Sequence, residues 1–168
     1  MGIRVERIAA VAAVAVVCLA AAAGAGEVQS RAVPKPVMDA AKGRFKAAKY
    51  VGASKEKNEA GEWVYEVSMN EKGMNIDMTL TPAGAITLIE KQIARKDLPA
   101  PLGDTLTARY PKAKYQLFEQ VYTVDKDGKE SLVYYEATLV DPHKQTWAVE
   151  LGLDGTVRKV DNKTGEVD

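Results

Sequence analysis

Residues 33–50 and 98–115 carry nearly the same message, and this internal repetition constrains the fold more than any other feature of the chain. At a constant offset of 65 residues, seven of the eighteen positions are identical: Pro34/Pro99, Pro36/Pro101, Asp39/Asp104, Arg44/Arg109, Ala48/Ala113, Lys49/Lys114 and Tyr50/Tyr115. Self-similarity at a fixed period has to be read first, because it changes the expectation for the whole architecture. In both stretches proline stands where a helix can begin, since the ring is tolerated in a first turn and not later. Val37, Ala41 and Phe45 then recur at helical spacing, as do Leu102, Leu106 and Tyr110, so each stretch predicts a helix with one apolar stripe.

After each helix the period changes from 3.6 to 2. Trp63, Tyr65, Val67 and Met69 alternate with Val64, Glu66 and Ser68; further on, Val133, Tyr135, Ala137 and Leu139 alternate with Tyr134, Glu136 and Thr138. Ile76, Met78 and Leu80, and later Trp147, Val149 and Leu151, continue the pattern as inward residues, with Asp77, Thr79, Ala148 and Glu150 outward. Both tryptophans fall on the inward pattern and are expected in the core or at its edge. Tyr50–Lys57 and Tyr115–Val124 read as the strands after the helices, and Ala85–Gln92 and Thr156–Asp161 as the last strands. Hairpins are expected at 58–61, at 125–129, at Ala83-Gly84 and at Asp154-Gly155. The resulting expectation is an α+β fold of two tandem αββββ repeats. Each is a helix packed on a four-stranded antiparallel sheet, the two sheets either abutting or forming one continuous sheet, with 91–96 as linker. A unit of about 65 residues is marginal alone, which favours packing two together.

The expected division is a signal peptide over 1–25, a mobile lead-in over 26–32, and repeats over 33–93 and 94–168. Arg4 and Arg7 precede an uncharged apolar run from Ile8 to Ala23, followed by the small-x-small pattern Ala23-Gly24-Ala25. That run is short for a membrane span, which needs about 20 residues, so cleavage and a periplasmic or secreted location are expected, with no stable membrane insertion afterwards. Val17 before Cys18 does not suit a lipid-attachment signal. Beyond residue 25 there are 21 basic and 22 acidic residues and no cysteine. That balance excludes the strongly basic footprint of a nucleic-acid binder and any thiol or disulfide chemistry.

Several of these residues carry a resemblance to a known family. Pro-x-Pro-Val/Leu opens each helix, Arg-Phe or Arg-Tyr closes it, Lys112-Ala113-Lys114-Tyr115 follows the second, and Gly61–Val67 reads Gly-x-x-x-Tyr-Glu-Val. With the Asp154-Gly155 turn, these resemble the PepSY-like family and, more distantly, the tandem β-lactamase-inhibitory-protein fold. The resemblance implies an exported, non-enzymatic module, with inhibition of a protease or β-lactamase proposed for relatives. Two departures stand out. Ala83-Gly84 replaces the favoured Asp-Gly, which suggests a relaxed constraint on that turn, and the disulfides of the inhibitory proteins have no counterpart here.

Searching for chemistry leaves little. His143, in the loop Asp141–Lys144, is the only histidine and has no cysteine companions for a metal site. No Gly-x-Ser-x-Gly elbow and no phosphate-cradling glycine loop is present. The outward carboxylates Glu66, Asp77, Glu136 and Glu150 could form acid/base pairs, but read more simply as charges on a solvated face. The reading is therefore a monomeric binding or inhibitory module without catalytic residues, metal or cofactor. It would meet an extracytoplasmic protein, such as an envelope protease or sensor, through its open sheet face and hairpin tips. Val64, Glu66, Tyr134, Glu136, Thr138 and Glu150 are the candidate partner-binding residues. The alternatives are a carboxylate-dependent hydrolase acting on an extracytoplasmic polymer and a periplasmic small-ligand or cation binder.

Overall fold

In the computed structural model, residues 33–58 and 60–165 are described; the expected signal peptide (1–25) and lead-in (26–32), and Glu59 of the first hairpin, lie outside the described residues. Pro34 and Pro99 cap two ten-residue helices, α1 (Lys35–Arg44) and α2 (Ala100–Arg109), with Pro36 and Pro101 in their first turns. Each helix buries two stripe residues, Val37 and Ala41 in α1 and Leu102 and Leu106 in α2. Phe45 and Tyr110 complete the stripes just past the helix ends, where their amides donate to Ala41 and Leu106 carbonyls at 3.1 and 2.8 Å. The strands are β1 (Lys49–Lys57), β2 (Trp63–Glu71), β3 (Met74–Leu80), β4 (Ile86–Gln92), β5 (Lys114–Val124), β6 (Glu130–Val140), β7 (Thr146–Gly152) and β8 (Val157–Asn162). A short 3-10 helix, Arg95–Asp97, and α2 lie between β4 and β5.

The expectation of two tandem αββββ repeats, each a helix on a four-stranded sheet with the sheets abutting or continuous, is overturned as a description of two repeats. Among the described residues eight strands form one antiparallel sheet in the order β1 to β8, against which two α-helices are set. The decisive pairing is β4 with β5, from Leu88↔Thr123 to Gln92↔Glu119. The Ile93 amide carries it one step further, onto the Phe118 carbonyl at 2.8 Å. Two separate sheets would leave β4 and β5 as unpaired edges, and joining them removes both. Lys91 and Gln92 accordingly belong to β4, not to a linker. The two carboxylate oxygens of Glu130 on β6 tie this seam together, one accepting from Arg44 of α1 at 2.7 Å and the other from Lys91 of β4 at 2.5 Å.

Both helices lie on one face. Val37 and Ala41 pack with Tyr65, Val67, Met69, Ile76, Met78, Leu80 and Ile89, and Leu102 and Leu106 pack with Phe118, Tyr135, Ala137, Leu139, Val149 and Leu151. The inward alternation therefore holds, with one break and one inward-facing residue left exposed. A bulge between Val121 and Tyr122 pairs Tyr122 with Leu132 and Val121 with Tyr134, which throws Val133 onto the opposite face beside Leu88, Val121 and Tyr134. Trp63, at the sheet margin, is 50% exposed and lies under the Lys55 and Lys57 ammonium groups at 4.6 and 5.3 Å. Trp147 does pack against the second core cluster and donates its indole N–H to Asp141 at 3.1 Å.

Gly84 reverses the expectation of a relaxed β3–β4 turn. It has φ +87°, and a Cβ there would come within 2.5 Å of the Pro36 carbonyl oxygen at the start of α1. Both a left-handed backbone and backbone-to-backbone contact oppose any side chain. Gly84→Ala is expected to lower stability by about 2 kcal/mol or more. Gly61→Ala, with φ +79° and open space, isolates the backbone component and should lose less; urea melts of the two variants compare them directly.

Candidate functional site: the acidic face of the sheet

The face turned away from the helices is set by period two. Since Tyr65, Val67 and Met69 point to α1, Val64, Glu66 and Ser68 must point away, and cross-strand pairing carries this face through every strand. Two rows of directly opposed residues result. One runs Ser68–Asp77–Glu90–Val121–Tyr134 from β2 to β6. The other runs Gln92–Glu119–Glu136–Glu150–Lys159 from β4 to β8. Opposed side chains of this kind have Cβ atoms roughly 5 Å apart. Carboxylates thus cross the sheet from β3 to β7, stepping from the first row to the second between β4 and β5. Leu88, Val121 and Tyr134 form an apolar cluster beside them.

All six residues expected to contact a partner, Val64, Glu66, Tyr134, Glu136, Thr138 and Glu150, lie on this face. None is solvated in the way the sequence suggested: all six are buried, and Glu66 and Glu136 are each only 3% exposed. Two of the most deeply placed acids, Glu90 and Glu119, were not singled out from the sequence. Period two in Leu88-x-Glu90-x-Gln92 and in Glu119-x-Val121-x-Thr123 was the signal that could have found them.

Burial sets the electrostatics. It pushes Glu90 well above the ordinary carboxylate range, with Glu119, Glu136, Glu66 and Asp77 adding repulsion. Glu119 is raised by burial and then by Glu136 and Asp77. Glu136 is raised to about 7 by burial and by Glu150, against the attraction of Lys163 and Lys159 on the β8 side. Burial raises Asp77 to about 6 although the Ser68 side chain opposes it by hydrogen bonding. The Tyr134 hydroxyl is likewise pushed up, by burial and then by Glu90, Glu150 and Glu136, with Arg158 over its ring at 5.0 Å acting the other way. Several polar atoms here are buried without a hydrogen-bond partner among the described residues: Glu90 Oε1, Glu136 Oε1, Tyr134 Oη, Thr138 Oγ1 and Ser54 Oγ. Such atoms are costly to leave unmade, typically about 1–3 kcal/mol each.

Acid/base catalysis by a carboxylate pair requires environments that drive two pKa values apart. Here burial moves Asp77, Glu90, Glu119 and Glu136 all the same way, upward. Among the described residues no group of three or more His, Cys, Asp or Glu has the geometry to hold a metal ion. His143 is an exposed loop residue whose amide donates to Asp141 at 2.8 Å. At the β1–β2 end of the face, a cleft of about 550 Å³ opens between Asn58, Trp63, Val64, Thr79 and Pro82.

No protein-family model and no curated protein matches this sequence. Solved structures do. A candidate periplasmic protein from Bacteroides eggerthii superposes with a TM-score of 0.58 at 15% identity, covering 79% of this chain and 90% of its own. A DUF2874 family protein from Bacteroides uniformis gives 0.57 at 12%, covering 79% and 91%. A BLIP-like protein from Bacteroides fragilis gives 0.52 at 11%, covering 79% and 88%. The fold is BLIP-like. At such identities the likeness establishes shared architecture alone. No helix among the described residues is long and apolar enough to cross a membrane.

Proposed function

We propose that this chain is an exported, periplasmic binding module without catalytic activity, which engages a protein partner from the side of the sheet opposite the helices. The observation that carries the reading is that face itself, which bears buried carboxylates, two of them, Glu90 and Glu136, with an oxygen whose hydrogen bond is unmade among the described residues. The basic and apolar n- and h-regions expected over 1–25 support export, and so do fold neighbours described as candidate periplasmic proteins. The BLIP-like neighbour supports a protein as the partner. Because the six nominated side chains are recessed, a protein surface would first meet the cleft lined by Trp63, Val64 and Thr79 and the exposed hairpin tip at 125–129.

Trp63→Ala tests this. Half of that ring is already in water, so its removal should leave the melting temperature within a few degrees of the parent. It should nonetheless abolish crosslinked recovery of a defined periplasmic partner by the tagged chain. Lys42→Ala, on the exposed side of α1, should not. Equal recovery by the parent, Trp63→Ala and a chain with a shortened 125–129 hairpin would contradict the reading.

A further inference from the structure

The acid-lined face has a chemistry of its own that a protein surface resting on the margin would not use. Its carboxylates are spread in a track, one per strand over β3 to β7, rather than gathered round a point. Strands lie about 4.8 Å apart, so Asp77 on β3 and Glu150 on β7 are separated by roughly 19 Å across the sheet. The titratable groups acting on Glu90 are all acidic, Glu119, Glu136, Glu66 and Asp77, and the lysines acting on Glu136, Lys163 and Lys159, stand on the β8 side. Independently of the carboxylates, the Tyr134 and Thr138 hydroxyls are buried on the same face with no hydrogen-bond partner among the described residues. Tyr134 is 4% exposed and Thr138 2%. Tyr134 stands in the row Glu90–Val121–Tyr134 and two residues from Glu136 on β6, so it sits within the track. A compact divalent cation does not suit this arrangement, since three ligands do not converge among the described residues. A long, thin polycation does.

We propose that the face opposite the helices binds a linear aliphatic polyammonium ion, a molecule of the polyamine class, laid across the strands with its ammonium groups on Glu90, Glu119 and Glu136 and its methylenes on Leu88, Val121 and Tyr134. Spacers of three or four carbons put successive ammonium groups roughly 5–6 Å apart, given bonds of about 1.5 Å, close to the strand spacing. Each ammonium is a donor without an acceptor, which is what unmade carboxylate and hydroxyl oxygens require. The methylene segments match the apolar cluster that runs beside the acids. This goes beyond the protein-partner reading, and its test does not depend on any protein being captured.

The probe is spermidine, titrated calorimetrically into the full chain at pH 7.5 and low salt. One saturable site is expected, weakened at least tenfold in Glu90→Gln and in Glu136→Gln and unchanged in Trp63→Ala. Both Gln variants preserve shape, and their thermal melts show that they are folded. A diamine should bind more weakly than spermidine, and propylamine more weakly still. Absence of saturation by millimolar spermidine would overturn the proposal. So would equal affinity of the two Gln variants and the parent. Displacement by Mg2+ at matched ionic strength would reduce the site to diffuse charge screening. Tighter binding of a lysine-glycine peptide than of spermidine would transfer the face to a protein segment and sink the polyamine assignment.

Discussion

At pH 8, Glu136→Gln is expected to be more stable than the parent chain by about 1–3 kcal/mol, and at pH 4.5 the two should be nearly equal. The sign follows from proton binding. Burial and Glu150 raise Glu136 in the folded state to about 7 from an ordinary 4.5, so the folded chain holds a proton that the unfolded chain releases. Stability from such a group is fully present below the ordinary value and is lost as pH rises through the folded one. A tenfold change in proton affinity is worth about 1.4 kcal/mol, so this group alone could reach on the order of 3 kcal/mol before relaxation and the attraction of Lys159 and Lys163 reduce it. Asp77, raised to about 6, and Glu90 and Glu119, also raised, act in the same direction. Glu130, Asp141 and Asp154 are lowered and act oppositely, but their contribution is lost only on acidification below the ordinary carboxylate range. Between pH 5 and 8 the parent should therefore become steadily less stable, and Glu136→Gln should flatten the slope. Urea midpoints across that range measure it; a parent that gains stability toward pH 8 would contradict a buried acidic floor.

Leu139→Ala is expected to lower stability by about 3 kcal/mol, and Met78→Ala by a similar amount. Each side chain is fully buried, Leu139 against the α2 cluster and Met78 against the α1 cluster. Their joint behaviour matters more than either value. Because β4 pairs with β5 and Glu130 bridges Arg44 and Lys91 across the seam, a cavity in either half should shift one common transition. Calorimetry should give a single peak for the parent and for both variants. A second peak, with Met78→Ala moving one and Leu139→Ala the other, would mean that the halves unfold independently and that the seam contributes little.

The proline-led helices and the inward alternation of Tyr65, Val67 and Met69 were legible because each is a local signal: a fixed φ, or a two-residue period over a single strand. The number of sheets was not, because it depends on the partner of β4, and nothing within Ile86–Gln92 names Lys114–Val124. Val133 was assigned to the core for a similar reason. A bulge shifts parity by one residue without altering the composition around it. The candidate site shows the same division. Val64, Glu66, Tyr134, Glu136, Thr138 and Glu150 were placed on the right face by alternation, yet taken as solvated, since burial depends on what the neighbouring strands do. Gly84 is the plainest case. Its constraint comes from the carbonyl of Pro36, far away in sequence, and the local Ala83-Gly84 pair carries no trace of it.

Whether the face opposite the helices is a buried acidic floor, able to take cationic groups, is decided by the protonation of Glu136 in the ligand-free chain. Side-chain carboxyl resonances of 13C-glutamate-labelled protein, followed from pH 3 to 9 and assigned through Glu136→Gln, report it without assuming any ligand. A midpoint near 7 is expected for Glu136, with Glu90 and Glu119 also titrating above the ordinary carboxylate range. Midpoints for all three near the ordinary 4.5 would show a solvated face and contradict a buried floor.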